Sequence, residues 1–323
     1  MFRRVIQLAL WLVLWSAYDE TSLGVTPGVM TPETTPYLRL NDPLHHMRLD
    51  PKGRFMAYIR EDGLGLRVVD MKSKDVFHVT DAQVGASFFW APDGLRLFYR
   101  ELRQTGKDEE AVESVIKAYD CALNKSVEID RVTSSTGLLT FDPRDLRLQL
   151  MTAKGIRTKR IYFPDERLAK WQVAQRHEAG KWLATQAGML WVTQGGYAMK
   201  KLTDDGTGVD SFSIAPDGGA VAWATRGGRV YMMRSNKDVK FIGHGRDPSW
   251  HPEKPEIVYA AARRVGKQVV SYDLRIVDSE GHGKYLTSSQ FSAERWPHWS
   301  PNGQQLLYTV ANSTDIYTLE LKQ

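Results

Sequence analysis

The sequence lacks several features that mark common protein classes. It has one cysteine, Cys121, in 323 residues, so neither an internal disulfide framework nor a cysteine-based zinc site organises the fold. The 43 Lys and Arg residues outnumber the 38 Asp and Glu residues only slightly, giving a formal net charge of +5. A dedicated nucleic-acid-binding protein is usually far more basic, so we expect no nucleic-acid partner.

The sequence also lacks the familiar catalytic and cofactor-binding motifs. It contains no P-loop, no dinucleotide-binding glycine motif and no G-x-S-x-G nucleophile elbow. We therefore predict no catalytic residue, no metal ligand and no cofactor, and we favour a non-enzymatic function. The Gly-His-Gly triplets beginning at Gly243 and Gly281 are interpreted as loop glycines around exposed histidines.

Long apolar runs are absent apart from one at the start of the chain. Arg3 and Arg4 precede an apolar stretch from Val5 to Trp15 that is interrupted only by Gln7, which is the pattern of a secretory signal. A membrane-spanning helix needs about 20 apolar residues. Residues 1–17 are therefore predicted to be a signal peptide or a short N-terminal anchor, and an uncleaved anchor would be the chain's only membrane contact.

The next segment has the composition of a linker. Three prolines and two glycines lie between Gly24 and Pro36, a density that favours extended, unpacked chain. We predict a linker over residues 18–36 and a folded domain over residues 37–323.

The sequence does contain a repeat. Six segments share a bulky apolar residue, a proline-marked turn and an alternating strand: LDPKGRFMAYI from Leu49, WAPDGLRLFYR from Trp90, FDPRDLRLQLM from Phe141, IAPDGGAVAWA from Ile214, WHPEKPEIVYA from Trp250 and WSPNGQQLLYT from Trp299. Proline presets the turn and glycine closes it. We call the proline that the six copies share the turn proline. A seventh copy, HEAGKWLATQA from His177, lacks it.

The spacing of these units predicts the fold. The turns recur every 36 to 51 residues, the range of four-stranded propeller blades. We predict an all-β, seven-bladed β-propeller, with six blades possible because the fourth unit is degenerate. One segment, Asp108 to Leu123, also fits a helical spacing, but its register favours a strand. The recurring acids Asp70, Asp120 and Asp278 are interpreted as turn residues that bind backbone N–H groups.

The last unit lacks its outer strand. The segment YLRLN, Tyr37 to Asn41, precedes the first turn where other units have such a strand. We predict that it completes the last blade, which closes the ring and removes an exposed strand edge.

Three of the turn segments, Trp90–Gly94, Ile214–Gly218 and Trp299–Gly303, resemble the x-S-P-D-G repeat of the TolB-type propellers of bacterial envelopes. The resemblance covers residues 37 to 323 and implies a periplasmic or secreted scaffold that binds a protein or another ligand, as a monomer or as a subunit of a larger assembly. TolB also carries an α/β domain before a six-bladed propeller. This difference prevents its partners from being transferred.

The loops at one end of the channel are the expected binding region, because the segment before each turn enters it in similar proteins. Five and six residues before the turn proline, four units carry polar or aromatic side chains: His45, His46, Asp210, Arg246, Asp247, Arg295 and Trp296. Such a mixture suits a peptide or a sugar. The alternative is that these side chains are solvated or form hydrogen bonds between blades.

A second function remains open. Some propellers of this kind resemble oligogalacturonate lyases, in which histidines at the channel mouth hold a divalent cation. Five of the eight histidines lie on at least three units, without a dedicated ligand spacing: His46, His244, His251, His282 and His298. His251 and His298 are predicted instead to pack against Trp250 or Trp299. These two tryptophans and Trp90 are predicted to pack between blades.

The charge is uneven along the chain. Arg144 to Lys181 contains ten Lys or Arg and four Asp or Glu residues. This segment is interpreted either as a surface for an anionic envelope component or an envelope protein partner, or as a solubilising outer face.

Overall fold

The computed structural model consists of β-strands and turns. It describes residues 35–84, 88–91, 93–104, 112–132, 139–142, 147–152, 155–160, 181–186, 189–194, 198–201, 208–216, 219–234, 239–289 and 292–321. These segments contain 25 strands and no helix, so none of them holds an apolar helix long enough to cross a membrane. The predicted signal, nearly all of the predicted linker and the turn after His177 lie outside the described residues.

The first two blades have four antiparallel strands each. Their strands are β2 (Leu44–Leu49), β3 (Phe55–Arg60), β4 (Leu64–Asp70) and β5 (Val76–Gln83), then β6 (Phe88–Trp90), β7 (Arg96–Gln104), β8 (Val112–Asp120) and β9 (Lys125–Val132). The strand prediction for the segment around Val112 to Asp120 is therefore confirmed.

Blades 3 and 4 have three described strands each. They are β10 (Leu139–Asp142), β11 (Arg147–Thr152) and β12 (Gly155–Arg160), then β13 (Lys181–Gln186), β14 (Met189–Gln194) and β15 (Ala198–Lys201). The degenerate fourth unit thus forms a separate sheet. Most side chains of the basic segment Arg144 to Lys181 lie outside the described residues.

Blades 5 to 7 complete the ring. Blade 5 contains β16 (Val209–Ile214), β17 (Ala220–Thr225), β18 (Arg229–Arg234) and the first half of β19 (Val239–Trp250). Blade 6 contains the second half of β19, β20 (Glu256–Val265), β21 (Gln268–Asp278) and β22 (Gly283–Tyr285). Blade 7 contains β23 (Glu294–Trp299), β24 (Gln305–Val310), β25 (Asp315–Glu320) and β1 (Leu38–Arg39). Strand β19 serves two blades, because its first half pairs with β18 and its second half with β20. The described strands thus form seven blades, which confirms the β-propeller.

One Gly-His-Gly triplet lies where strand β19 passes from blade 5 into blade 6. The triplet lies inside this strand, so the interpretation of Gly243 and Gly245 as loop glycines is wrong. A Cβ atom at Gly243 would collide with the Tyr259 hydroxyl, and one at Gly245 would collide with the Ala260 carbonyl oxygen. The glycines are needed for this close approach of two strands.

The N-terminal strand closes the ring as predicted. In β1, Leu38 pairs with Ile316 of β25, and the N–H groups of Tyr37 and Leu40 donate to carbonyls of that last blade at 2.8 Å each. Leu38 and Leu40 are buried in the cluster between the first and last blades. The closing strand is therefore held by both the sheet and the core.

The turns adopt the geometry that their residues predict. In three of them the glycine N–H donates to the carbonyl of the residue before the turn proline, at 3.0, 3.0 and 2.8 Å: Gly53 to Asp50, Gly94 to Ala91 and Gly303 to Ser300. Each glycine has a φ near +70°, a conformation that glycine adopts without steric cost. Asp70, Asp120 and Asp278 accept backbone N–H groups through their Oδ1 atoms, as predicted.

Three tryptophans join neighbouring blades through one repeated contact. The indole N–H donates to a carbonyl on the first strand of the preceding blade, from Trp90 to Arg48, from Trp250 to Ser213 and from Trp299 to Ser249, at 3.0, 3.1 and 3.3 Å. All three side chains are buried. The prediction that they pack between blades is confirmed.

Candidate ligand-binding site at the channel mouth

The first strand of each blade is its inner strand. Contacts join β2 to β23, β6 to β10, β16 to β19 and β19 to β23, so these strands surround the central channel. Each is followed by the turn at its C-terminal end, which places the N-terminal ends together at one end of the channel. We call that end the mouth.

Four inner strands are irregular at the mouth. Their pairing shifts register within β2, β16, β19 and β23, between Leu44 and His46, Val209 and Ser211, Arg246 and Ser249, and Arg295 and His298. A bulge interrupts the regular alternation of side chains and redirects them. These irregularities fall on the positions that the sequence marked as candidate binding residues.

Two residues at the mouth have a left-handed backbone. Asp247 has a φ of +55° and Trp296 a φ of +54°. Each lies five residues before the turn proline and is followed directly by another proline, Pro248 or Pro297. Left-handed residues other than glycine are uncommon and cluster at binding and catalytic sites.

A chain of ion pairs links three blades. Arg246 Nη2 lies 2.6 Å from Asp210 Oδ2, and Arg295 Nε lies 2.6 Å from Asp247 Oδ2. The same Asp247 oxygen accepts the N–H of Trp296 at 3.4 Å, and the Asp247 side chain is only 1% exposed. Two acids and two arginines therefore neutralise one another across blades 5, 6 and 7.

Two histidines of blade 1 meet Trp296 of blade 7. The ring centroids of His45 and His46 lie 4.9 and 5.3 Å from that of Trp296, and His46 also contacts Phe88 at 5.4 Å. Burial, and then the nearby Arg295, lowers the pKa of His45. Burial, and then Arg48, holds the pKa of His46 well below its usual value. Both imidazoles are therefore neutral at neutral pH.

All seven candidate residues are thus brought together, and we call them the mouth network: His45, His46, Asp210, Arg246, Asp247, Arg295 and Trp296. Four of them form ion pairs between blades. This agrees with the alternative interpretation of these positions, in which the side chains hold neighbouring blades together. The two histidines and Trp296 instead form an aromatic cluster, in which His45 is exposed. The mouth network therefore combines a rigid polar frame with an accessible face.

A cavity of about 320 Å³ lies in the channel beside the mouth network. It is lined by residues of all four irregular strands, including His46, Asp247 and Trp296. Four further lining residues each lie three positions before the turn proline: Arg48, Ser213, Ser249 and His298. The search for binding residues stopped at positions five and six and therefore missed Arg48, Ser213 and Ser249, whereas His298 was considered only as a metal ligand or as a residue packed against tryptophan. In β2 and β16, where no register shift separates the two positions, alternation places positions five and three on one face, which is the signal that would have found Arg48 and Ser213.

The histidines proposed as metal ligands are dispersed. His251 lies in a turn with its ring 4.4 Å from Trp299, as predicted, whereas His298 lines the channel and contacts the Trp299 carbonyl through Nδ1 at 3.0 Å. His244 and His282 are exposed on other strands and turns. Among the described side chains, no three of His, Cys, Asp or Glu are grouped closely enough to hold a metal ion. The lyase alternative finds no support among these residues.

The pKa values of the channel histidines are consistent with a neutral lining. Burial lowers the pKa of His298 to about 4, and its Nδ1 hydrogen bond to the Trp299 carbonyl opposes this effect only in part. Nδ1 carries the hydrogen because a carbonyl oxygen can only accept. The Nε2 atom of His298 is then an acceptor.

Comparison with solved structures identifies the fold. The crystal structure of TolB from Acinetobacter baumannii aligns with 80% of this chain at a TM-score of 0.50 and 15% identity. This chain spans only 57% of that TolB chain. A chain in the crystal structure of the Mitotic Checkpoint Complex aligns with 93% of this chain, over 94% of its own length, at a TM-score of 0.56 and 14% identity.

Both neighbours are β-propellers, and at these identities the likeness shows the fold alone. No protein-family model matches the chain, and no curated protein matches its sequence. The function must therefore be argued from the mouth network itself.

Proposed function

We propose that this chain is a non-catalytic β-propeller scaffold that binds a protein partner or another extended ligand across the channel mouth. The observation that carries this proposal is the mouth network, in which side chains from four blades meet around an open cavity. Bulges and two left-handed residues, Asp247 and Trp296, orient this site at a cost in local strain. Strain of this kind is typical of a surface shaped for a ligand.

We further infer that the chain is exported and acts in the bacterial cell envelope, in the periplasm or as a secreted protein. The signal-like residues 1–17 support export, and the turn segments that resemble TolB-type propellers support the envelope. An envelope protein or an anionic envelope component is the expected partner, since the segment Arg144 to Lys181 is strongly basic. A monomer or a subunit of a larger assembly fits this function.

Photo-crosslinking in the intact cell tests the binding function. The full chain carries a photo-reactive amino acid in place of His45, which is exposed at the mouth. The matched control carries it in place of Leu123, which is 73% exposed in the turn between β8 and β9. We expect a discrete adduct from position 45 and none from position 123.

A second variant connects the adduct to the mouth network. Trp296→Ala should reduce the adduct at position 45 about tenfold or more, because aromatic side chains dominate such interfaces. Adducts of equal yield at both positions, or no adduct at position 45, would overturn the proposal. Repeating the reaction in purified envelope extract at low and high salt would show whether the partner is anionic.

A further inference from the structure

Arg48 lies in the channel, and no described group accepts a hydrogen bond from its terminal nitrogens. Its Nε donates to His46 Nε2 at 3.2 Å, and its guanidinium carbon lies 5.6 Å from the centre of the Phe88 ring. These contacts occupy Nε and one face of the group. Within the part of the chain that the structure describes, Nη1 and Nη2 donate no hydrogen bond.

The charge of Arg48 is not compensated by the described lining. The two acids of the mouth network are already matched by Arg246 and Arg295, and no described carboxylate lies within ion-pair distance of Arg48. Burial lowers the pKa of Arg48 to about 10, so the group stays protonated at neutral pH. Among the described residues, the cavity lining therefore carries one positive charge that no carboxylate balances.

Two hydroxyl groups on the opposite wall add further donors. The Oγ atoms of Ser211 and Ser213 accept the backbone N–H groups of Asp247 and Trp250, at 3.2 and 3.1 Å. Each hydroxyl hydrogen is therefore left to donate, and both serines line the cavity. The volume of about 320 Å³ lies within the range of small-ligand sites, about 300–1,000 Å³.

We infer that the channel is a carboxylate-binding site, in which Arg48 supplies the charge and Ser211 and Ser213 supply further hydrogen bonds. A planar guanidinium with two unused terminal nitrogens matches a carboxylate in shape and charge. The carboxylate comes either from an acidic side chain of a peptide partner or from a free dicarboxylate. In the first case the inference rests on the proposed function and gives the chemistry of the group that enters the channel.

Matched pairs of charged and neutral probes test this inference on the full chain. One pair is the capped peptides acetyl-Gly-Glu-Gly-amide and acetyl-Gly-Gln-Gly-amide, and the other is succinate and succinamide. Titration calorimetry should show that at least one charged probe binds about tenfold or more tightly than its amide. The pair that shows the preference identifies the source of the carboxylate.

Substitutions then assign the preference to Arg48. Arg48→Gln should abolish it, and Arg48→Lys should retain part of it because the charge remains without the planar fork. Lys125→Gln removes the same charge from the exposed first residue of β9 and should change nothing. As a check that does not depend on calorimetry, saturating charged probe should raise the Tm of the wild type but not that of Arg48→Gln.

The outcomes separate this inference from the proposed function. Equal affinity for charged and neutral probes, or a preference that survives in Arg48→Gln, would overturn the carboxylate site. If an adduct still forms at position 45 in that case, the scaffold function stands without it. A succinate preference with no adduct at position 45 would support the site and count against a protein partner.

Discussion

The two ends of the inner strands use equivalent positions in different ways. At the turn end, Trp90, Trp250 and Trp299 make the same indole hydrogen bond and are all buried. At the mouth end, the residues five positions before the turn proline differ among the four blades of the mouth network: His46, Ser211, Asp247 and Trp296. Repetition therefore marks the contacts that build the ring, and variation marks the end that is free to recognise a ligand.

Packing explains this division. A tryptophan between blades fills a space that recurs with the repeat, so the same side chain serves in three blades and another bulky apolar residue, Leu49, Phe141 or Ile214, stands at that position in the others. The mouth has no such repeated space, and its residues interact with partners on neighbouring blades that differ each time. The comparison predicts that changes at the turn end and the ring closure reduce stability, whereas changes at the mouth mainly affect binding.

The largest effect is expected from opening the ring. Deleting Tyr37 to Asn41 removes two buried leucines, Leu38 and Leu40, at about 1.5–3 kcal/mol each, and exposes the edge of β25. We expect a clear fall in the melting temperature and increased aggregation, measured by calorimetry and size-exclusion chromatography. An unchanged melting profile would refute the closure as a source of stability.

The next effect is the loss of one repeated tryptophan. Trp90→Ala should lower the free energy of unfolding by about 3–5 kcal/mol, because it leaves a cavity between blades 1 and 2 and removes the indole hydrogen bond to the Arg48 carbonyl. Urea denaturation measures the change. A near-neutral result would remove the distinction between the two ends of the inner strands.

A pH-dependent effect is expected beside the mouth network. Glu294 precedes Arg295 and is fully buried, with hydroxyl hydrogen bonds from Ser289 and Ser292. Burial, opposed by these bonds, raises the pKa of Glu294 to about 7 from its usual 4.5. When folding raises the pKa of an acid, the protein loses stability as the pH rises from the pKa of that acid in the unfolded state through its pKa in the folded state.

Glu294 should therefore cost the protein about 3 kcal/mol of unfolding free energy between pH 4.5 and pH 8, on the basis of about 1.4 kcal/mol per pKa unit. Glu294→Gln should reduce this pH dependence, measured by urea denaturation at pH 5 and pH 8. Glu280, an exposed acid in the turn after β21, provides the control variant Glu280→Gln, which should leave the dependence in place. An identical pH profile for Glu294→Gln would contradict the prediction.

The smallest effect on stability is expected at Trp296. Trp296→Gly relieves a left-handed backbone that costs of order 1–3 kcal/mol and loses partly exposed contacts with His45 and His46. These terms oppose each other, so the unfolding free energy should change by less than about 1 kcal/mol. The adduct at position 45 should nevertheless weaken. A loss of stability equal to that of Trp90→Ala would assign Trp296 to the architecture.

Local features of the sequence were enough to predict the propeller. The turn segments, the alternating strands and the segment Tyr37 to Asn41 each act over a few residues, and their period places them in blades. The same period led to the positions five and six residues before the turn proline, and all seven side chains chosen there lie together. The assignment of Gly243 to a loop failed because strand β19 continues from one blade into the next, which no local signal announced.

The channel itself was harder to predict. The search did not reach Arg48, and His298 was placed against tryptophan when it lines the cavity. Bulges in the inner strands disturb the simple alternation on which such an assignment depends. The bulges interrupt the pairing of each inner strand with the second strand of its own blade, so they cannot be located from one strand segment alone.

The sequence by itself determined the proline-marked hairpins and the strand that closes the ring, because turn chemistry and strand periodicity are encoded in short segments. Only the tertiary structure decided that Asp247 pairs with Arg295 of the next blade, while Arg48 is left without a described carboxylate. Residues distant in sequence determine these pairings through their positions around a common axis. Their charges and hydrogen bonds are therefore defined only when the ring has closed.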